Sequence, residues 1–210
     1  MKFILLVEGD AERIVLPDFF RRWLNPKLKH PVSIKAVKLS GSGGYLKEFA
    51  GRVKKQLCDS DAHDLIAVIG LLDLYGLPQN FYPTNLPSAD ERYAWAKREL
   101  ESRVGQARFR QFFAVHELEA WLLSDPTIFP REVRENFPAA VSSPESVNFN
   151  QPPGVLLERL YGQKLKKSYQ KTVHGNDLFA KLDPETACQK CPHLRELLDE
   201  MLDFAKQSGN

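Results

Sequence analysis

Four short apolar runs, Lys2 to Val7, Val32 to Leu39, Leu65 to Leu72 and Phe109 to Val115, recur along the first part of the chain with amphipathic stretches between them. The runs are rich in Ile, Val, Leu and Phe and nearly continuous, as strands buried on both faces require. The intervening segments Ala11 to Leu24, Tyr45 to Leu57 and Ala89 to Val104 carry helical spacing. Parallel strands need a crossover between them, usually a helix, so the alternation predicts an α/β fold with a mostly parallel sheet flanked by helices. With 210 residues, 43% of them hydrophobic, the chain can bury one sizeable core with an appendage. Pro17 falls inside the first helical pattern and either kinks it or delays its start. Pro78, Pro83 and Pro87 mark a long loop after the third run.

After Trp121 the pattern changes. Six prolines, Pro126, Pro130, Pro138, Pro144, Pro152 and Pro153, punctuate a region without clear strands, with short helices expected over Val155 to Tyr161, Asp177 to Leu182 and Leu194 to Phe204. The expected organisation is an α/β domain over 1–125 and a helical C-terminal region, 126–210, packed on it. The run Phe3 to Val7 meets Glu8, Gly9 and Asp10 at once and is too short for a membrane span or a secretory signal. Cys58, Cys188 and Cys191 are too few for a disulfide framework and fit a reducing compartment. A cytoplasmic protein with no membrane association is therefore expected.

A net charge of +2 gives no nucleic-acid signal by itself. The placement of charge is more informative. In an open parallel sheet, ligands bind beyond the carboxyl ends of the strands. Glu8 follows the first strand, Asp73 the third, and Glu117 and Glu119 the fourth, while Glu12 stands one helical turn past Glu8. Clustered carboxylates repel unless a cation compensates them. Oxygen-only donors suit Mg2+ or Mn2+, which readily add phosphate oxygens to their shells. The chemistry implied is hydrolysis of a phosphodiester. The competing reading makes each acid an N-cap or first-turn residue that complements the helix dipole, with Asp10 the best candidate for a cap and Glu119 a solvated helix residue.

Other features carry weaker signals. Ser40 to Gly44 form a small-residue segment that matches neither the dinucleotide fingerprint nor the P-loop, and it reads as a flexible turn with Ser40 and Ser42 near the site. Cys188 and Cys191 make a CxxC that lacks a well-spaced fourth zinc ligand, His174 being the near candidate beside His193, and it reads as a turn into the last helix. His116 reads as hydrogen-bonded structure beside the site, and Trp121 to Leu123 as core. Tyr75, Phe81 and Tyr82 offer rings for stacking on bases, against a default of packing. Lys164, Lys166, Lys167 and Lys171 cluster late, suited to holding phosphate.

Three strings carry a resemblance. LLVEGDAE, Leu5 to Glu12, resembles the first motif of TOPRIM domains; LLDLYG, Leu71 to Gly76, stands where those domains carry Asp-x-Asp, with Asp73 matching the first aspartate and Tyr75 replacing the second; HELEAWLL, His116 to Leu123, resembles a third acidic element. The chain is similar to a bacterial family of small TOPRIM-like proteins related to nucleases of the overcoming-lysogenization-defect (OLD) type. Tyr169, Lys171, Gly175 and Cys191 to His193 extend the likeness into the tail. The resemblance implies a Rossmannoid TOPRIM-like sheet, Glu8, Glu12, Asp73, Glu117 and Glu119 as metal ligands or orienters of water, and Lys171 as the lysine that stabilises phosphate charge. It also implies an ABC-type or OLD-type ATPase as partner and a role in defence against phage. The expected function is a Mg2+- or Mn2+-dependent nuclease acting on DNA or RNA; the alternative is a non-catalytic regulatory or nucleic-acid-binding subunit, which Tyr75 favours. The oligomeric state, a homo-oligomer included, is left open.

Overall fold

The computed structural model describes residues 1–58, 62–83, 86–146 and 151–209. Its first part alternates β1 (Lys2–Val7), α1 (Asp10–Leu24), β2 (Ser33–Lys38), α2 (Gly41–Cys58), β3 (Leu65–Asp73), α3 (Ala89–Val104) and β4 (Phe109–Ala114). The strands pair in parallel in the order β2-β1-β3-β4, with Val7 opposite Lys38 and Asp73 opposite Ala114. The chain moves outward from β1 to β2 and then crosses back to β3, so β1 and β3 flank the point where the strand order reverses. Both end at the same edge of the sheet. This is the α/β architecture of parallel strands flanked by helices that the sequence predicts.

Period-two alternation sorts the strand side chains onto two faces. Phe3, Leu5 and Val7 of β1, Ile69 and Leu71 of β3, and Phe112 and Ala114 of β4 face one core, which α1 covers. Ile4 and Leu6, Val68 and Leu72, and Phe109 and Phe113 face the other, under α2 and α3. The first core continues into α4 (Glu119–Leu123), α5 (Arg131–Arg134), α6 (Pro153–Leu160), α7 (Asn176–Lys181), α8 (Pro184–Lys190) and α9 (Pro192–Gln207). Trp121 is fully buried there, stacked on Phe19 at 6.3 Å, and Phe19 meets Phe179 edge-on at 5.4 Å. Arg22 of α1 donates to the carbonyls of Leu182 (2.8 Å) and Phe179 (2.6 Å), satisfying orphan acceptors at the end of α7. The last third of the chain is thereby latched onto α1.

Local chemistry explains the boundaries. Ser88 and Glu91 form a capping box at the start of α3, with Glu91 N–H donating to Ser88 Oγ at 3.2 Å, and Gly105 closes the helix at φ +63°. Asp183 accepts from the amides of Glu185 and Thr186, and Pro184 at the first helical position presets α8. Three expectations need correction. The segment Ser40 to Gly44 is no flexible turn: α2 starts at Gly41, because burial of Tyr45, Phe49 and Val53 extends the helix backward over poor helix formers. Pro17 does not delay α1, which starts at Asp10 and continues past the proline to Leu24. The CxxC leads into the last helix as expected, Cys191 being the N-cap of α9, but its first half is helical, since Cys188 lies within α8; both cysteines are buried as small apolar side chains, while His174 stacks on Tyr169 and His193 on Tyr93. Among the described residues no helix is long and apolar enough to cross a membrane.

One polar pair crosses the sheet. Tyr45 Oη donates to Gln111 Oε1 at 2.7 Å, and Gln111 Nε2 donates to the Phe112 carbonyl at 2.8 Å, all of it buried. The pair passes directly over Gly70 of β3, where a Cβ would collide with both the Tyr45 hydroxyl and the Gln111 amide. A Gly70→Ala variant should therefore lose about 1–3 kcal/mol by overpacking, and Tyr45→Phe about 1–3 kcal/mol by leaving Gln111 Oε1 unpaired. Urea titration checks both; a Gly70→Ala midpoint equal to wild type would show that the pair yields without cost.

Candidate functional site

The sheet edge at the carboxyl ends of β1 and β3 collects the acids. Glu8 leaves β1, and Gly9 admits the chain to α1, in whose first turn Glu12 stands. A Cβ at position 9 would meet the Glu12 carboxylate, so with Gly9 that carboxylate lies directly against the backbone, and a larger residue would make it swing aside. Asp73 ends β3, and its Oδ1 accepts the Leu118 amide at 3.0 Å, which ties it to the segment after β4. The turn Leu74–Gly76 follows. A Cβ at Gly76 would stand 3.7 and 3.8 Å from the two Glu8 carboxylate oxygens, so that turn lies against Glu8. The Tyr75 amide donates to the His116 carbonyl at 3.1 Å.

The C-terminal part completes the cluster. Glu117 Oε2 accepts the Gly154 amide, near the start of α6, at 2.8 Å. Glu119, the first residue of α4, is only 5% exposed and accepts Lys171 Nζ at 3.0 Å. Lys171 opens a π-helical turn, Lys171–Gly175, and its own side chain is about half-exposed. A Cβ at Gly154 would lie 3.1 Å from Glu117 Oε2 and 3.6 Å from Lys171 Nζ, so the glycine lets the two approach.

The charges feel one another. Burial raises the Glu8 pKa, the Glu12 carboxylate raises it further, and Lys171 opposes. Asp73 is pushed well above the usual carboxylate range by burial first and then by Glu119, with Glu8 and Glu12 adding and Lys171 opposing. Glu119 is raised by burial against the pull of Lys171. For Lys171, burial opposes the charge, but Glu119, Asp73 and Glu117 outweigh it and hold the ammonium protonated. His116 is pushed down to about 4 by burial, with the charges of His193 and Arg92 adding, and is neutral at neutral pH.

The residues fit a hard divalent cation by their chemistry. All the donors are oxygens, and Glu8 Oε2 and Glu12 Oε2 are buried with no hydrogen-bond partner among the described residues. Lys171 is the cation that opposes the charge of Glu8, Asp73 and Glu119 among the described residues, and it offsets their charge in part. Among the described residues no three His, Cys, Asp or Glu side chains are arranged closely enough to hold an ion as they stand.

All six residues singled out from the sequence, Glu8, Glu12, Asp73, Glu117, Glu119 and Lys171, thus lie in one electrostatic neighbourhood. Two subsidiary readings are corrected. Asp10 caps nothing with its side chain: the N-cap of α1 is Gly9, and Asp10 pairs with Lys38 at 2.5 Å and Arg13 at 3.3 Å on the surface. Glu119 is buried rather than solvated, because α4 is pressed into the core on all sides. Lys167 lines a separate cleft with His174 and Lys181. Gly76 and Gly154 were not foreseen. For Gly154 the signal was the Pro-Pro-Gly start of α6, whose free first-turn amides suit a carboxylate.

The family described as "Domain of unknown function (DUF4276)" matches residues 7–202. No curated protein matches the chain. Among solved structures, the C-terminal region of the Burkholderia pseudomallei OLD protein is similar at TM-score 0.51 and 18% identity, over 97% of this chain and 98% of that one. The C-terminal region of the Xanthomonas campestris pv. campestris OLD protein superposes at TM-score 0.48 and 18% identity, covering 98% and 94% of the two chains. The Burkholderia structure shows that the fold is shared.

The crowding of charge generates a stability test. A carboxyl whose pKa is raised on folding contributes stability fully present below its unfolded value, about 4, and lost as pH rises through the folded value. In metal-free protein Asp73 is therefore a cost at neutral pH. Asp73→Asn keeps an oxygen for the Leu118 amide and removes the charge. Calorimetry in EDTA should show Tm higher by about 2–4 °C at pH 7.5, equivalent to about 1 kcal/mol for a chain of this size, with little gain at pH 4. A variant less stable at both pH values would contradict the crowding.

Proposed function

We propose that this chain, which belongs to the DUF4276 family, is a metal-dependent nuclease that hydrolyses phosphodiester bonds of DNA or RNA through a TOPRIM-type acidic centre. The observation that carries the reading is the convergence of Glu8, Glu12, Asp73, Glu117 and Glu119 with Lys171 at the carboxyl ends of β1 and β3. The likeness of fold to the C-terminal region of an OLD protein supports it.

The five carboxylates are the set that would hold Mg2+ or Mn2+. When bound, such an ion supplies Lewis-acid polarisation of a phosphoryl oxygen and makes a water more acidic. The chain's own groups do the rest. The Leu118 amide orients Asp73 and the Gly154 amide orients Glu117, so both carboxylates are placed before any ligand arrives. Glu12 Oε2, unpartnered, accepts a hydrogen bond from the attacking water. Lys171 exchanges its contact with Glu119 for a non-bridging phosphate oxygen and neutralises charge that grows in the transition state. Gly9 leaves the space beside the Glu12 carboxylate clear of a side chain.

An ABC-type or OLD-type ATPase as partner, in defence against phage, is the company this reading gives the chain; it rests on the motif resemblance, with support from the similar fold being a C-terminal region of an OLD protein. A second reading, a non-catalytic regulatory subunit, is favoured by Tyr75 in place of an acid and by the Lys171–Glu119 pair that balances charge without an ion.

Labelled plasmid, single-stranded DNA and tRNA, incubated with Mg2+ or Mn2+ with and without an ATPase encoded nearby, separate the two. Cutting should fall at least about 100-fold in Glu8→Ala, Asp73→Ala and Lys171→Ala, the scale set by removing one transition-state stabiliser. Absence of cutting by the wild type under every condition, with no metal uptake by calorimetry, would move the assignment to the regulatory subunit.

A further inference from the structure

The loop after β3 encloses a cavity of about 240 Å³, lined by Leu74, Tyr75, Leu77, Tyr82, Arg92 and His116 among others. It shares both of its nearest chain segments with the acidic cluster. Leu74 and Tyr75 belong to the turn that starts directly after Asp73, and His116 immediately precedes Glu117. Tyr75 is two residues from Asp73, hence no more than roughly 7 Å away between Cα atoms.

The rings in this loop differ in their employment. Phe81, Tyr82 and Trp95 pack against one another, with centroids 5.5, 5.3 and 6.0 Å apart, which is the packing role expected by default for the first two. Tyr75 is 59% exposed. Yet its backbone is held, because its amide bonds to the His116 carbonyl and the neighbouring Leu74 carbonyl accepts from Tyr82 Oη at 3.5 Å. An exposed ring on a tethered turn is a platform that loses little freedom when something stacks on it. Arg92 stands at the wall, with Nε donating to the Leu86 carbonyl at 3.0 Å and the guanidinium 5.6 Å from the Tyr82 ring centroid. A guanidinium has five N–H donors, so this anchor leaves donors for a ligand's ring carbonyl or ring nitrogen.

The geometry points to a subsite for one unstacked nucleobase, seated by Tyr75 and Arg92 beside the phosphate held by the acidic cluster; the position of that phosphate rests on the nuclease reading above. The cavity is smaller than the roughly 300–1,000 Å³ of drug-sized sites and is enough for a single ring system. A base inside a duplex cannot enter it without leaving the stack. The substrate class is therefore a single strand, or a duplex already unpaired at the cut, with stacking supplying sequence-tolerant affinity.

The test uses the full chain and short single-stranded DNA and RNA carrying one 2-aminopurine, in EDTA and again in Ca2+, read by anisotropy and by fluorescence quenching. Wild type should bind and quench; Tyr75→Ala should bind about tenfold more weakly and lose the quench; Tyr75→Phe should behave as wild type; a blunt duplex should not be quenched. Equal binding and quenching by Tyr75→Ala, equal affinity for an oligonucleotide made abasic at the probe position, or no binding by wild type would each overturn the subsite. A Tyr75-dependent quench without any Mg2+- or Mn2+-dependent cutting would uphold the subsite and remove the hydrolytic reading instead.

Discussion

Bringing Glu8 and Asp73 together at neighbouring strand ends costs electrostatic free energy, because burial strips each carboxylate of water while Glu12 and Glu119 add like charge. Much of the remaining structure answers that cost. The amides of Leu118 and Gly154 supply fixed partial positive charge to Asp73 and Glu117, and Lys171 supplies a whole one to Glu119. A core optimised for stability alone would place apolar residues there, since buried charge is weak evidence of stabilisation. The strain is local, and the two apolar layers on either side of the sheet sustain it.

The helical C-terminal part has a specific place in this balance. It carries Gly154 and Lys171, which oppose the acids together with the Leu118 amide. Its own position depends on Arg22 reaching the end of α7 and on Trp23 Nε1 donating to Glu185 at 2.9 Å. Residues remote from the acids, in the last turn of α1, thus help to set where the compensating lysine stands. Glu145 acts similarly at the other end, accepting from the amides of His193 and Leu194 at the start of α9.

The alternation of apolar runs and helical patterns made the sheet legible, and the four runs end within a residue or two of the strands. The position of Glu8, Asp73, Glu117 and Glu119 after strands was legible for the same reason: strand ends share an edge whatever the helices do. What escaped was non-local. Nothing in the spacing of Glu119 says that α4 is buried on every side, since five residues carry no period. The glycines at 41, 43 and 44 argue against a helix by propensity, and packing of Tyr45 and Phe49 overrode them. Gly154 matters through its amide and its closeness to Glu117, which one-dimensional spacing does not encode.

The hydrogen bond from Tyr45 to Gln111 across Gly70 acts as an index pin. Apolar layers tolerate small sliding of a helix along a strand, because one buried methyl exchanges for another. A buried hydroxyl and amide that must meet over a single bare backbone position admit one setting. That setting fixes the start of α2, whose Gly41 amide donates to the Glu8 carbonyl at 3.3 Å. The backbone of the first acidic residue is thus calibrated, through one helix turn, by a polar contact in the middle of the layer beneath α2 and α3.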